Sequence, residues 1–130
     1  MPEDVKLVAL DIDGTLLAPG VPHNAVPDDT VVGAVKALQA RGIVVMLATG
    51  RMYPGTAPIA NHLGIKEPAI CQQGASIHHA DGELRYAYSI DQDIAAELYD
   101  FAISHGYSLA WFDHERYLVT SMSPAAEFFA

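Results

Sequence analysis

The chain has 130 residues, of which 51% are hydrophobic and 18% charged, so it is long enough to bury a core without disulfides. Seven lysines and arginines against sixteen acidic residues give a net charge of −9, which argues against a nucleic-acid partner because backbone phosphates require a basic face. The single cysteine excludes an internal disulfide, and no apolar run reaches the roughly 18 residues of a membrane span, so we expect a cytoplasmic protein without a membrane partner.

Three short apolar runs predict the strands of a buried sheet. Residues 6–12 (KLVALDI) and 43–48 (IVVMLA) are runs of strand length, which is typical of parallel strands covered on both faces. Residues 69–71 (AIC) predict a short third strand. Prolines and a glycine between residues 18 and 27 mark a loop after the first strand.

Helical periodicity predicts a helix in each interval between these strands. Asp28 or Asp29 can cap a first helix that carries VVGAVKALQARG and ends at Gly42. A second, shorter helix is predicted over residues 53–63, and Gly64 ends it. The order strand, helix, strand, helix, strand predicts the α/β class, with a doubly wound, Rossmann-like parallel sheet and right-handed crossovers.

The pattern changes after the third strand. Residues 77–88 predict a hairpin that turns at Asp81-Gly82, a dipeptide typical of tight turns. Residues 91–105 predict an amphipathic helix. Two strands over 107–112 and 116–120 follow it, and a helix followed by antiparallel strands indicates a separate α+β unit.

Polar side chains follow the three predicted parallel strands where each strand ends. They are Asp11, Asp13, Thr49, Arg51 and Gln73. Ligands of doubly wound sheets bind at the carboxyl ends of the strands, so we expect these side chains to converge on one site.

The segment Asp11-Ile12-Asp13-Gly14-Thr15 carries the strongest functional signal. Two carboxylates two residues apart on a straight strand would face opposite sides, so the chain must bend to bring both to one site, and Gly14 permits that bend. Two close acids repel each other, which raises one pKa or recruits a cation such as Mg²⁺. A carboxylate can also attack phosphorus to form an aspartyl-phosphate. The alternative is an ordinary polar turn after a strand.

Thr49-Gly50-Arg51 ends the second strand. The threonine hydroxyl can donate a hydrogen bond to a phosphate oxygen, although threonine is also common at the ends of strands. Two interpretations of Arg51 remain open: it binds an anion of the substrate, or it is a solvated charge on a loop.

At these residues the sequence resembles the haloacid dehalogenase-like hydrolases, and within them the Cof-type phosphatases. The resemblance rests on DIDGTLL (11–17), VVMLATGR (44–51) and ICQQGASIHHADGELRY (70–86). It implies a Mg²⁺-dependent phosphohydrolase that acts on a small, sugar phosphate-like phosphomonoester through an aspartyl-phosphate.

The resemblance also implies roles for individual residues. Asp11 would be the nucleophile and a ligand of Mg²⁺. Asp13 would be the general acid and base, and its backbone carbonyl would also be a ligand of Mg²⁺. The phosphate and the rest of the substrate would be bound by Thr49, Gly50, Arg51, Gly14 and Gln73. Gln73 stands where the group usually has asparagine, a difference that bears on a substrate contact.

Two domains are expected, with a boundary near Ser89. Residues 1–88 would form part of the α/β core, namely its first three strands and the hairpin. Residues 89–130 would begin an α+β cap domain, which in this group is mobile and selects the substrate.

Two family features are missing from these 130 residues: a lysine after the cap and a G-D-x-x-N-D motif. We therefore expect the N-terminal portion of such an enzyme, truncated within the cap and inactive alone. The edge of the strand over 6–12 would then be unpaired, and self-association or a complementary fragment would cover it.

Three hypotheses follow for the function. The first is the phosphohydrolase lineage, with a small phosphorylated metabolite as its partner. The second is a non-catalytic fragment that binds metal, phosphate or another protein. The third is a receiver-like, phospho-accepting signalling module, against which the G-T-L continuation of the first motif argues.

Overall fold

The computed structural model describes residues 5–129 of the chain, without the side chains of residues 125, 128 and 129. The chain divides after Ala87 into two compact units. The first unit contains β1 (Leu7–Leu10), α1 (Asp29–Ala40), β2 (Val44–Leu47), α2 (Tyr53–Leu63), β3 (Ala69–Cys71), β4 (Ser76–His78) and β5 (Leu84–Ala87). The second contains α3 (Gln92–Ser104), β6 (Ala110–Phe112), β7 (Tyr117–Val119) and α4 (Pro124–Phe129).

The parallel pair β1–β2 lies at the centre of the first unit. Its register runs from Leu7 opposite Val44 to Leu10 opposite Leu47. Apolar side chains of both strands and of the two helices form one core, together with the segments that follow them. Its buried members are Ile12, Leu17, Val35, Val45, Leu47, Ile59, Leu63, Ile65, Ala69 and Cys71. The α/β class predicted from the sequence is confirmed.

Both predicted helices of the first unit are confirmed by their end signals. The Asp28 side chain accepts a hydrogen bond from the N–H of Val31 at 3.0 Å, so Asp28 is the cap of α1 and Asp29 its first residue. Helix α2 ends at Gly64, whose φ of +67° is the left-handed conformation typical of a helix C-terminus.

The third strand departs from the predicted parallel arrangement. It makes one isolated parallel bridge to the end of β2, between Ala48 and Ile70, and otherwise forms an antiparallel sheet of order β3-β4-β5. A tight turn over Gln72–Gly74 reverses the chain directly after β3 and brings β4 antiparallel to it. The strands β1 and β2 are also shorter than predicted, with four residues each. The hairpin turn at Asp81-Gly82 is confirmed.

The second unit is α+β. Helix α3 is capped by Asp91, whose side chain accepts a hydrogen bond from the N–H of Asp93 at 2.9 Å. The antiparallel pair β6–β7 follows, in strands shorter than predicted. Helix α4 was not predicted, because its six residues are too few to show a helical period. Within residues 5–129, no helix combines the length and the apolar character that crossing a membrane requires.

Candidate active site

A sharp turn after β1 carries the two predicted acids. The N–H of Leu17 donates to the carbonyl of Ile12 at 2.9 Å, and the N–H of Gly14 donates to the carbonyl of Leu17 at 2.8 Å. Gly14 has a φ of +82°, which glycine adopts without a Cβ clash. Ile12 is fully buried and anchors the turn, while Asp11 and Asp13 stay exposed. The predicted bend at Gly14 is present, but of the two acids only Asp11 lines the cleft beside it.

Asp11 directly follows β1 and lines an open cleft of about 280 Å³. Its carboxylate accepts one hydrogen bond, from the Thr15 hydroxyl at 3.3 Å, which leaves acceptor capacity for a cation or a substrate. The other lining residues come from the ends of β2 and β3. They are Ala48, Thr49, Gly50, Ile70, Gln73 and Gly74.

Thr49 is buried in the cleft wall and joins the ends of β2 and β3. Its N–H donates to the carbonyl of Ile70 at 2.9 Å, and its carbonyl accepts from the N–H of Gln73 at 3.2 Å. Its hydroxyl oxygen accepts from the N–H of Arg51 at 3.2 Å. The hydroxyl hydrogen therefore remains for donation to an anion.

The segment after β3 closes over the segment after β2. Gln72 and Gln73 have φ values of +52° and +58°, which non-glycine residues seldom adopt. The amide side chain of Gln73 lies against Gly50, where a Cβ would overlap it. Strained backbone of this kind is found preferentially at functional sites, and here it lines the cleft.

Asp13 does not line the cleft but pairs with Arg51. The guanidinium donates from Nε to Oδ2 at 2.8 Å and from Nη2 to Oδ1 at 2.6 Å. The Arg51 side chain is only 8% exposed, whereas that of Asp13 is 59% exposed. The interpretation of Arg51 as a solvated loop charge is therefore wrong.

The same pair sets the ionisation of Asp13. Hydrogen bonds from Arg51 lower the pKa of Asp13 below its usual value, burial opposes them, and the charges of Arg51 and His23 act in the lowering direction. Asp13 is therefore a carboxylate at neutral pH. A general acid requires the opposite shift, and a lowered pKa also weakens a base, so the pair as it stands favours neither role for Asp13.

The donor set at the cleft suits Mg²⁺ only in part. Magnesium in proteins binds one or two carboxylates and keeps water or phosphate oxygens as its other ligands, and Asp11 supplies one such carboxylate. The side-chain oxygens of Asp13 are taken by Arg51, so Asp13 could contribute only its backbone carbonyl. Residues 5–129 contain no group of three or more His, Cys, Asp or Glu side chains close enough together to hold a metal ion. Phosphate oxygens or further ligands would have to complete the site.

The predicted site residues thus separate into two groups. The cleft brings together Asp11, Thr49, Gly50 and Gln73. Asp13 and Arg51 form the neighbouring ion pair, and Gly14 shapes the turn without lining the cleft. The roles assigned to these residues stay predictions.

Sequence reasoning missed two contributors to the site. The Thr15 hydroxyl contacts Asp11. Thr15 belongs to the first motif and lies four residues after Asp11, so the sequence could have indicated this contact. The carbonyl of His23 accepts a hydrogen bond from Nη1 of Arg51 at 3.2 Å. A backbone acceptor on a loop leaves no signal in the sequence.

Comparison with known proteins places this geometry in a family context. The family model that describes haloacid dehalogenase-like hydrolases matches residues 8–129. Phosphatase YwpJ of Bacillus subtilis is 34% identical over 113 residues, which make up 87% of this chain and 35% of that protein. The HMP-PP phosphatase of Serratia proteamaculans is 37% identical over 93 residues, or 72% of this chain and 32% of that protein.

Solved structures agree with these relatives. A haloacid dehalogenase-like hydrolase from Bacillus subtilis aligns with a TM-score of 0.66 and 33% identity, over 82% of this chain and 36% of that chain. The family resemblance drawn from the motifs is confirmed. The chain spans about a third of the length of the curated relatives it matches.

Proposed function

The chain belongs to the haloacid dehalogenase-like hydrolase family, and we propose that it carries the nucleophile of a Mg²⁺-dependent phosphohydrolase acting on a small phosphomonoester. The observation that supports this most is the placement of Asp11. Its carboxylate stands at the end of a parallel strand, faces an open cleft and, among residues 5–129, has one hydrogen-bond partner, Thr15. A carboxylate so placed can approach phosphorus without first breaking an ion pair.

In the first step an Asp11 oxygen attacks the phosphorus atom and the bond from phosphorus to the substrate oxygen breaks, which gives an aspartyl-phosphate. The Thr49 hydroxyl donates to an oxygen of the transferring group, and Gly50 beside it leaves room for the Gln73 side chain in the cleft wall. Bound Mg²⁺ would supply positive charge between the Asp11 carboxylate and the phosphate oxygens.

In the second step water attacks phosphorus, the bond between the Asp11 oxygen and phosphorus breaks and phosphate is released, while Asp13 accepts the proton that the water loses. Arg51 lowers the pKa of Asp13 and keeps it in the carboxylate form, but it also binds both carboxylate oxygens, so Asp13 must leave Arg51 before it can accept this proton. The first step needs the protonated form, so Asp13 must loosen from Arg51 before it can protonate the leaving oxygen. Without that proton, the substrate oxygen leaves as an anion.

The substrate class is inferred from size and from the relatives. A cleft of about 280 Å³ suits a phosphoryl group and a small attached group. The relatives named phosphatase YwpJ and HMP-PP phosphatase support a small phosphorylated metabolite as the partner. The cytoplasmic location and the α+β cap expected from the sequence stay predictions.

Phosphorylation of the chain itself tests the proposal. We expect acetyl phosphate with Mg²⁺ to add one phosphoryl group to Asp11, detected by mass spectrometry after borohydride trapping. Asp11→Asn should abolish the adduct, whereas Asp113→Asn, at an aspartate on the second unit, should not. A folded chain that acquires no label at Asp11 would contradict the proposal.

A second candidate function is non-catalytic binding of phosphate or metal. It is favoured by the pairing of Asp13 with Arg51, which withdraws one of the two predicted acids from the cleft. In that case phosphate should bind, with chemical-shift changes at Thr49 and Gly50, and acetyl phosphate should leave Asp11 unmodified. The family membership favours both candidates over the receiver-like module.

Self-association at β1 also stays a prediction. Among residues 5–129, β1 pairs only with β2, and the side chain of Leu7 on it is half-exposed. An added strand would satisfy its other edge. Sedimentation that shows a stable monomer at high concentration would contradict this expectation.

A further inference from the structure

We propose that Ser76 is a positioning residue for the cleft: its buried hydroxyl holds the Gln72 side chain across the turn after β3, and so fixes the Gln73 carboxamide in the cleft wall, where it donates a hydrogen bond to a phosphate oxygen. The inference deepens the proposed function and rests on it only in taking phosphate as the occupant of the Asp11 cleft. Neither Ser76 nor Gln72 was among the site residues predicted from the sequence.

Three consecutive residues of the turn after β3 have left-handed backbone. Their φ values are +52° at Gln72, +58° at Gln73 and +96° at Gly74. Glycine adopts this conformation freely, but a Cβ makes it unfavourable, so both glutamines need contacts that hold them there. The N–H of Gln72 donates to the carbonyl of Arg51 at 2.9 Å, and that of Gln73 to the carbonyl of Thr49 at 3.2 Å. These bonds hold the backbone of the turn and leave its side chains to be placed by other contacts.

Ser76 supplies a side-chain contact across the same turn. Its hydroxyl donates to Oε1 of Gln72 at 2.8 Å. Ser76 lies in β4, opposite Cys71 of β3 and Ala87 of β5, and is only 1% exposed. A buried hydroxyl requires a hydrogen-bond partner, and within residues 5–129 the Gln72 side chain is the partner that this hydroxyl has. The bond therefore ties a buried strand position to the first left-handed residue of the turn.

Gln73 is the residue whose side chain this turn presents to the cleft. It lines the cleft together with Asp11, and its side chain lies on Gly50, where an added Cβ would overlap the carboxamide. Within the described part of the chain the carboxamide has no hydrogen-bond partner, so its N–H groups remain for an occupant. The described residues that line the cleft include neither lysine nor arginine. Two neutral donors, the Thr49 hydroxyl and the Gln73 carboxamide, are therefore the side chains that can donate to a phosphate oxygen there.

The backbone conformation of the turn in solution tests the positioning step. Gln72 and Gln73 of the wild type should give strong nuclear Overhauser effects between the amide proton and the Hα of the same residue, as positive φ values do. Ser76→Ala should weaken both effects, because it releases the turn from β4. If Ser76→Ala does not fold, Gln72→Ala breaks the same hydrogen bond from its other side and should weaken the effect at Gln73.

Thr56→Val is the matched control. It also removes a hydroxyl from a fully buried site of the same unit, where Thr56 donates to the carbonyl of Met52 at 3.0 Å. Both Overhauser effects should stay at their wild-type strength in this variant. Effects as strong in Ser76→Ala as in the wild type, or equally weakened in Thr56→Val, would overturn the proposal.

Binding of inorganic phosphate tests the consequence for the cleft. In a titration followed by the amide shifts of Thr49 and Gly50, Gln73→Ala should raise the dissociation constant about threefold to tenfold, the loss of one hydrogen bond. Ser76→Ala should raise it by a similar factor and the double variant no further, since Ser76 acts through Gln73. Thr56→Val should keep the wild-type constant. Independent effects that multiply in the double variant, an unchanged constant in Ser76→Ala, or no shift in the wild type would each refute the positioning role.

The two proposals fail separately. Neither the Overhauser effects nor the phosphate affinity require transfer of a phosphoryl group. The expected effects of Ser76→Ala, together with no label on Asp11 from acetyl phosphate, would refute the phosphohydrolase and retain the positioning role. Label on Asp11, together with wild-type phosphate affinity in Ser76→Ala, would refute the positioning role alone.

Discussion

Gly14→Ala should destabilise the chain through its backbone alone. Gly14 has a φ of +82°, and a Cβ built there has no neighbour within 4 Å. Steric overlap with other residues therefore contributes nothing. The left-handed conformation costs an alanine about 1–2 kcal/mol, and the more restricted unfolded chain returns about 0.4–1 kcal/mol. The net loss in the free energy of unfolding should be about 1 kcal/mol.

Gly33→Ala is the matched control, because it makes the same chemical change in a different backbone conformation. Gly33 lies inside α1, is exposed, has no positive φ, and likewise has no atom within 4 Å of an added Cβ. Alanine is favoured over glycine inside a helix by about 1 kcal/mol, so this variant should be more stable than the wild type. The two variants should differ by about 2 kcal/mol.

Urea denaturation followed by circular dichroism measures both free energies. Equal slopes in the three transitions would show that the unfolded states are comparable. A Gly14→Ala variant as stable as the wild type would refute the assignment of a required left-handed turn after β1. The same variant should also accept less phosphate at Asp11, because the turn places Asp11 against Thr15.

Three further predictions concern burial and ionisation. Leu63→Ala should lower the free energy of unfolding by about 2–5 kcal/mol, since Leu63 is fully buried in α2, whereas Leu84→Ala, at a 36% exposed site, should lose less than half as much. Hydrogen bonds from the backbone N–H of Glu115 and from Arg116 lower the pKa of Asp113 to about 2. The stability that these bonds give the folded chain should be present above pH 3.8 and be lost as the pH falls toward 2. A carboxyl titration by NMR measures the midpoint. Burial raises the pKa of the Cys71 thiol, so a disulfide reagent should label it at neutral pH in urea but not in the folded chain.

Each of these has a clear contrary result. Similar losses for the two leucine variants would mean that α2 does not pack on the core as described. An Asp113 midpoint near 3.8 would show that the turn hydrogen bonds are absent in solution. Rapid labelling of Cys71 under native conditions would show that the core around β3 opens readily.

Elements with strong local signals were predictable from the sequence. Helix α2 matches its prediction at both ends, because Gly64 supplies the left-handed residue that ends a helix. The Asp81-Gly82 turn and the Asp28 cap are equally local. The cleft residues Asp11 and Thr49 could be predicted because parallel strands present their carboxyl ends at one edge of the sheet.

Features that depend on distant backbone were not predictable. The Asp13–Arg51 pair joins residues 38 apart, and its geometry depends on the carbonyls of His23 and Gly55. The reversal after β3 relies on left-handed glutamines, and glutamine carries no preference for that conformation. The short apolar run therefore identified β3 and its parallel contact with β2, but not its antiparallel pairing with β4.

The cleft lies over the boundary between the β1–β2 sheet and the β3–β4–β5 sheet. Within the described part of the chain, a single bridge, between Ala48 and Ile70, joins the two sheets there. On one side hydrogen bonds tie β2 to β1, and on the other they tie β3 to β4, while few cross between them. The N–H groups of Thr49 and Gln73, two residues that line the cleft, make two of those crossings. Widening the cleft by a small rotation of one sheet would break fewer hydrogen bonds than deforming a continuous sheet, so we expect the cleft to adjust to an occupant by opening along this boundary.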